Sequence, residues 1–125
     1  MKIRESGEMY LEHILTLREE KGVVRAIDVA NLSGYSKPSV SRALGLLKSA
    51  GYVTVEEKSG SISLTEAGES LARKVAERHG VLMDFLRLLG VSQPVAEADA
   101  CKIEHVISDE TFERVKVFVK ESKEA

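Results

Sequence analysis

Residues 26–64 read AIDVANLSGYSKPSVSRALGLLKSAGYVTVEEKSGSISL, and the order of breaks in this stretch decides the fold. Ile27, Ala30 and Leu32 make residues 26–32 a short helix with those three side chains inward, broken by Ser33-Gly34-Tyr35. Ser36 then offers an N-cap hydroxyl, and Pro38 falls in the first turn, where its missing N–H is no loss. Val40, Ala43, Leu44 and Leu47 supply a buried stripe for this next helix, which Gly51 ends. Two β-rich runs, 52–56 and 61–64, flank Glu57-Lys58-Ser59-Gly60, whose glycine suits a hairpin turn. Upstream, residues 6–21 carry Met9, Tyr10, Leu11, Ile14, Leu15 and Leu17 at helical spacing, and Gly22 closes that helix. Helix, helix, tight turn, helix and hairpin in this order form a winged helix-turn-helix.

Downstream the pattern is wholly helical. Thr65 caps a long helix to about Leu89, with Leu71, Val75, Val81, Leu82, Phe85, Leu86 and Leu89 apolar. Pro94 opens another helix through Ile107, and Ser108 caps a last one with Phe112, Val115, Phe118 and Val119 apolar; the charged end 121–125 is expected to fray. The expected class is mainly α with one small β-hairpin: a winged helix-turn-helix head over residues 1–64 and a helical domain over residues 65–125. The apolar stripes of the last three helices exceed what a small head can cover, so a homodimer through them is expected.

The composition is that of a folding globular chain, with 43% hydrophobic and 30% charged residues. Its net charge of -2 conceals an asymmetry. Residues 21–64 hold six basic side chains against three acidic ones, and the rest of the chain twelve against seventeen. A basic head on an acidic body suits a phosphate-binding module with a regulatory partner. No apolar run approaches the roughly 18 residues of a membrane span, and the basic start Met1-Lys2-Ile3-Arg4 leads into a charged helix and not a signal core, so the cytoplasm is the expected location. The single cysteine, Cys101, cannot form an internal disulfide.

On the third helix Lys37, Ser39, Ser41, Arg42 and Lys48 lie between the buried positions. Small hydroxyls beside long cations suit the major groove of double-stranded DNA: Ser39 and Ser41 can bond phosphates or base edges, and Arg42 can reach a guanine with two bonds. Lys58 at the wing tip would meet the backbone or minor groove. An exposed polar helix face is the plainer alternative, and some winged helices bind proteins instead.

The sharpest constellation is Cys101-Lys102-Ile103-Glu104-His105. Positions i, i+3 and i+4 of a helix share a face, so thiol, carboxylate and imidazole project together, and this sulfur, oxygen and nitrogen set suits a first-row divalent metal. The alternative is a buried cysteine beside a solvated Glu-His pair. Further donors stand apart in sequence: Met9 and Glu12 are i and i+3 on the first helix, and His79 interrupts the fourth between apolar turns. Asp84, Glu97 and Asp99 are additional carboxylates near the same helices, and His13 reads as a surface residue.

These marks resemble the diphtheria-toxin-repressor family of metal-dependent regulators, which includes iron-dependent repressors and manganese transport regulators. The likeness covers nearly the whole chain. It rests on Glu8-Met9-Tyr10-Leu11, Leu64-Thr65-Glu66-Ala67-Gly68, Arg78-His79, and Ala100-Cys101-Lys102-Ile103-Glu104-His105-Val106 followed by Ser108-Asp109-Glu110. The resemblance implies a homodimeric repressor whose heads hold a palindromic operator when metal fills a site shared with the C-terminal helices. Carried over, the iron-type primary ligands are Met9, Cys101, Glu104 and His105, with His79 in the ancillary site. Met83 stands where the iron type has an ancillary glutamate, and Glu97 where it has a second histidine; Glu12 falls on a manganese-type carboxylate. The expected cofactor is a divalent transition metal, Fe(II) favoured by the two sulfurs and Mn(II) admitted by the carboxylates. Two rivals are a winged-helix regulator sensing redox state or an organic ligand, and a small metallohydrolase. The absence of a His-Glu-x-x-His helix, a nucleophile elbow and a phosphate loop argues against an enzyme.

Overall fold

The computed structural model describes residues 5–125; the basic run Met1–Arg4 lies outside the described residues. The elements are α1 (Glu5–Lys21), α2 (Ala26–Ser33), α3 (Lys37–Ser49), β1 (Val53–Val55), β2 (Ile62–Leu64), α4 (Glu66–Leu88), α5 (Gln93–Val106) and α6 (Asp109–Glu124). The chain divides into two units, Met1–Arg73 and Lys74–Ala125, so α4 contributes turns to both.

In the first unit, Leu11, Ile14, Val29, Val40, Leu47 and Val53 are almost wholly buried in one cluster drawn from α1, α2, α3 and β1. Burying each such side chain contributes about 1.5–3 kcal/mol, which is why helices this short hold their places. Ser36 caps α3 by accepting the Ser39 amide, and Pro38 lies in its first turn. β1 and β2 pair antiparallel, Val53 opposite Leu64 and Val55 opposite Ile62. The Ile62 amide also donates to the Val24 carbonyl at 2.8 Å, so the wing is stitched to the segment after α1 as well as to itself.

The join from wing to α4 is set by Thr65 and Gly68. The Thr65 hydroxyl donates to the Gly51 carbonyl at 2.6 Å and accepts the Gly68 amide at 3.1 Å, while the Thr65 amide donates to the Tyr52 carbonyl. Gly68 comes so close to Tyr52 that a Cβ would lie 1.9 Å from that carbonyl oxygen, so no larger residue fits.

The second unit is built from the later turns of α4 with α5 and α6. Val75, Leu82, Ala96, Ala100, Phe112 and Val119 are buried in it. Phe85 meets Phe118 edge to face at 5.7 Å. Glu77 with Lys116 and Asp84 with Lys123 form α4–α6 ion pairs.

Several expectations are corrected. Ile27 and Leu32, read as inward, are 42% and 47% exposed, while Val29 and Ala30 are buried. At 100° per residue, Ile27 and Leu32 lie roughly 110° to either side of the line between Val29 and Ala30, off the buried face of so short a helix. The end of α6, expected to be frayed, is helical to Glu124, and Lys123 reaches Asp84. Leu89 and Phe118 are 61% and 48% exposed and join Leu88, Val95, Val106 and Val117 as uncovered apolar side chains of this unit, the surplus that the apolar stripes lead one to expect. His13 is half-buried; its Nδ1 has no partner among the described residues, and burial lowers its pKa against the opposing pull of Glu12.

Candidate metal centre and nucleic-acid surface

The metal-site candidates begin from the packing of α5. Ala96, Ala100 and Glu104 form its buried i, i+4 row, so a carboxylate is carried into an apolar interior by the same register that buries two alanines. A charge in that position requires partners. His79 of α4 supplies one, its Nδ1 2.7 Å from Glu104 Oε2, and His105 supplies another, its Nε2 3.3 Å from Glu104 Oε1. The other ring nitrogen of His79 lies 3.0 Å from Glu97 Oε1. The imidazole is thus held between a buried and an exposed carboxylate.

His79, Glu97, Glu104 and His105 are brought together within the second unit. Cys101 is on the same helix but one residue, about 100°, off the buried row, and its side chain is exposed. Asp99 is exposed, Met83 half-buried, and Asp84 is engaged by Lys123. In the first unit Met9 packs, partly buried, against the core cluster, and Glu12 is half-buried on the same helix. Among the described residues no three His, Cys, Asp or Glu side chains are arranged to hold an ion as they stand. The donor set nevertheless fits a divalent cation: an almost fully buried carboxylate is faced by two imidazoles, whose nitrogens a metal would engage in place of their protons.

Arg78 is not among the functional candidates read from the sequence, although its neighbour His79 is. Arg78 is buried, its guanidinium donating to the carbonyls of Glu104 and Ile107 and pairing with Asp109. It also lies over the Phe112 ring at 5.3 Å. A buried arginine needs such acceptors, but nothing in the local sequence reveals partners 26 to 31 residues away.

On the first unit, Lys37, Ser41, Arg42 and Lys48 are exposed along α3, and Lys58 is exposed in the wing turn. Ser39 is half-buried, bonded to the Ser36 hydroxyl at 2.9 Å and approached by Arg42 Nη2 at 3.4 Å, which steadies the arginine over the first turn. Arg25, also missed, donates from Nε to the Ser59 carbonyl at 3.0 Å and so ties the wing turn to the start of α2. Its own amide is taken by Asp28, whose carboxylate the Lys21 ammonium and this bond hold below its ordinary pKa. Cations, hydroxyls and a braced wing on one module form a surface suited to duplex DNA.

No helix among the described residues is long and apolar enough to cross a membrane. Residues 2–61 match the iron dependent repressor N-terminal DNA binding domain, and residues 65–125 the iron dependent repressor metal binding and dimerisation domain. The transcriptional regulator MntR of Escherichia coli O6:H1 is 37% identical over 115 residues, covering 92% of this chain and 74% of the relative. An HTH-type transcriptional regulator of Methanocaldococcus jannaschii is 35% identical over 122 residues, covering 96% of this chain and 97% of the relative. The solved manganese regulator SloR superposes with a TM-score of 0.82 at 26% identity, over 96% of this chain and 55% of that one. A manganese-dependent transcriptional repressor solved with manganese gives 0.82 at 27% identity, over 91% and 52%. The chain therefore spans about half the length of these two structures. These relatives are regulators and not enzymes, and they favour metal dependence over redox or organic-ligand sensing. With both domain matches covering nearly its whole length, the chain belongs to the iron-dependent repressor family of metal-dependent, DNA-binding transcriptional regulators.

Proposed function

We propose that the chain acts in the cytoplasm as a homodimer that binds a palindromic operator when a divalent transition metal is bound, with Fe(II) preferred and Mn(II) accepted. The observation that carries this reading is the buried Glu104 carboxylate between His79 and His105. The resemblance adds Met9, Glu12 and Cys101 to these three as ligands. When bound, the ion supplies fixed positive charge that neutralises the buried carboxylate and links its ligands. Residues 1–64 serve as the DNA-binding head and residues 65–125 as the metal and dimer portion. Lys37, Ser39, Ser41, Arg42 and Lys58 contact the operator, the lysines at phosphates and Arg42 at a base edge.

Regulation follows from linkage: metal that favours the DNA-competent arrangement raises operator affinity, and operator raises metal affinity by the same factor. The preference for Fe(II) rests on the two sulfur donors, Met9 and Cys101, set against the hard oxygens of Glu12 and Glu104. Operator affinity titrated against free Fe(II) and Mn(II) tests it. Replacing Cys101→Glu together with Met9→Asp should move activation toward Mn(II) and leave operator preference unchanged. Equal responses of the parent to both ions, unaltered in the double variant, would show that the sulfurs pack and do not ligate.

A further inference from the structure

Arg78 and His79 are consecutive on α4, and both act on Glu104: the imidazole takes its carboxylate, the guanidinium its main-chain carbonyl. The same guanidinium donates to the Ile107 carbonyl at 2.8 Å and pairs with Asp109, so it spans the last turn of α5 and the first turn of α6. The final carbonyls of a helix lack intrahelical donors, and a fork of N–H groups there fixes where the turn ends. The turn it fixes carries Glu104 and His105. Phe112 beneath the guanidinium closes the other side, at 5.3 Å. Arg78 is 8% exposed and its bond to the Glu104 carbonyl is buried, whereas the Asp109 carboxylate at the other end of the fork is 76% exposed.

We infer that Arg78 is a positioning residue for the metal centre: by clamping the α5–α6 corner it sets the distance between His79 and the Glu104-His105 pair. It touches no metal itself. The inference rests on the metal-binding role of Glu104 and His105 proposed above. Residues that orient ligands from behind typically change metal affinity 10- to 100-fold when removed.

The test is Co(II) titration of the full-length protein, followed by its visible ligand-field absorption, with thermal unfolding of the metal-free protein in parallel. Arg78→Met should weaken Co(II) binding about 10-fold or more and alter the band shape, because ligand geometry changes. Arg78→Lys retains the charge opposite Asp109 but not the fork, and should recover part of the affinity. Asp109→Asn, at an exposed carboxylate, should give a smaller loss in the same direction; it and Arg78→Lys carry the test if Arg78→Met loses its helices. Parent affinity and band shape in these variants, with Glu104→Gln abolishing binding, would overturn the positioning role alone. Parent-like binding by Glu104→Gln would instead overturn the metal reading on which it stands.

Discussion

Replacing Gly68 by alanine adds one methyl group where the structure has no room for it. The new carbon would lie 1.9 Å from the Tyr52 carbonyl oxygen and 2.9 Å from its carbonyl carbon. An ordinary contact for such a carbon begins at 3.4 Å, so the two segments must part by about 1.5 Å. Both sides of the clash are backbone, so neither can swing away, which places the strain at the upper end of the usual overpacking range, about 3 kcal/mol. The 3.0 Å bond from the Thr65 amide to that same carbonyl is loosened, removing about 1 kcal/mol more. Alanine's better helix propensity returns about 1 kcal/mol. The net expectation is a destabilisation of about 3 kcal/mol, or a fall of about 12 °C in Tm at roughly 4 °C per kcal/mol for a chain of this size. Thermal unfolding followed by far-UV circular dichroism measures it. Gly45→Ala is the control, since a Cβ there meets nothing within 4 Å and should hold or raise Tm. A Gly68→Ala protein melting at or above the parent would refute the argument that the wing-to-helix join is sterically closed.

Lys37→Ala should weaken binding to all duplexes alike and reduce the magnitude of the salt slope by about one; an unchanged slope would remove Lys37 from the phosphate contacts. The uncovered Leu88, Leu89, Val95 and Phe118 should make the protein a dimer in sedimentation at micromolar concentration, and Phe118→Glu should shift it toward monomer. Glu69 is held below its ordinary pKa of 4.5 by its bond from Arg18 and then by Arg73. A carboxylate with a lowered folded-state pKa stabilises at neutral pH and loses that contribution as pH falls through the folded value. The parent should therefore outlast Glu69→Gln in thermal unfolding at pH 7, and the gap should close below 4.5.

The elements whose ends carry their own chemistry were legible in the sequence. Ser36 with Pro38, Thr65 with Gly68, Ser108, and Gly22 each act within a few residues, so the stops and starts of α1, α3, α4 and α6 follow from local rules. Helix faces were less legible where a helix has only two turns: in α2 the buried line passes between Ile27 and Leu32 and not through them. Cys101, Glu104 and His105 do lie on one helix, α5, within about 100° of arc. Packing against His79 of α4 then divides that arc, hiding Glu104 and leaving Cys101 exposed. Arg78 and Arg25 could not be assigned from sequence, since their acceptors, Glu104, Ile107, Asp109 and Ser59, are brought to them only by tertiary packing.

The aromatic side chains are partitioned between the two units. There is no tryptophan; Tyr10, Tyr35 and Tyr52 all belong to the first unit, whereas Phe85, Phe112 and Phe118 all belong to the second. Tyr10 and Tyr35 stand 6.1 Å apart, their rings tilted at 58°, and Phe85 meets Phe118 edge to face. Intrinsic emission from this protein is therefore tyrosine emission from the DNA-binding unit alone, while ring-current-shifted phenylalanine protons report only on the unit carrying His79, Glu104 and His105. Two label-free signals, one optical and one magnetic, can follow the two halves of the regulator independently while metal or DNA is added.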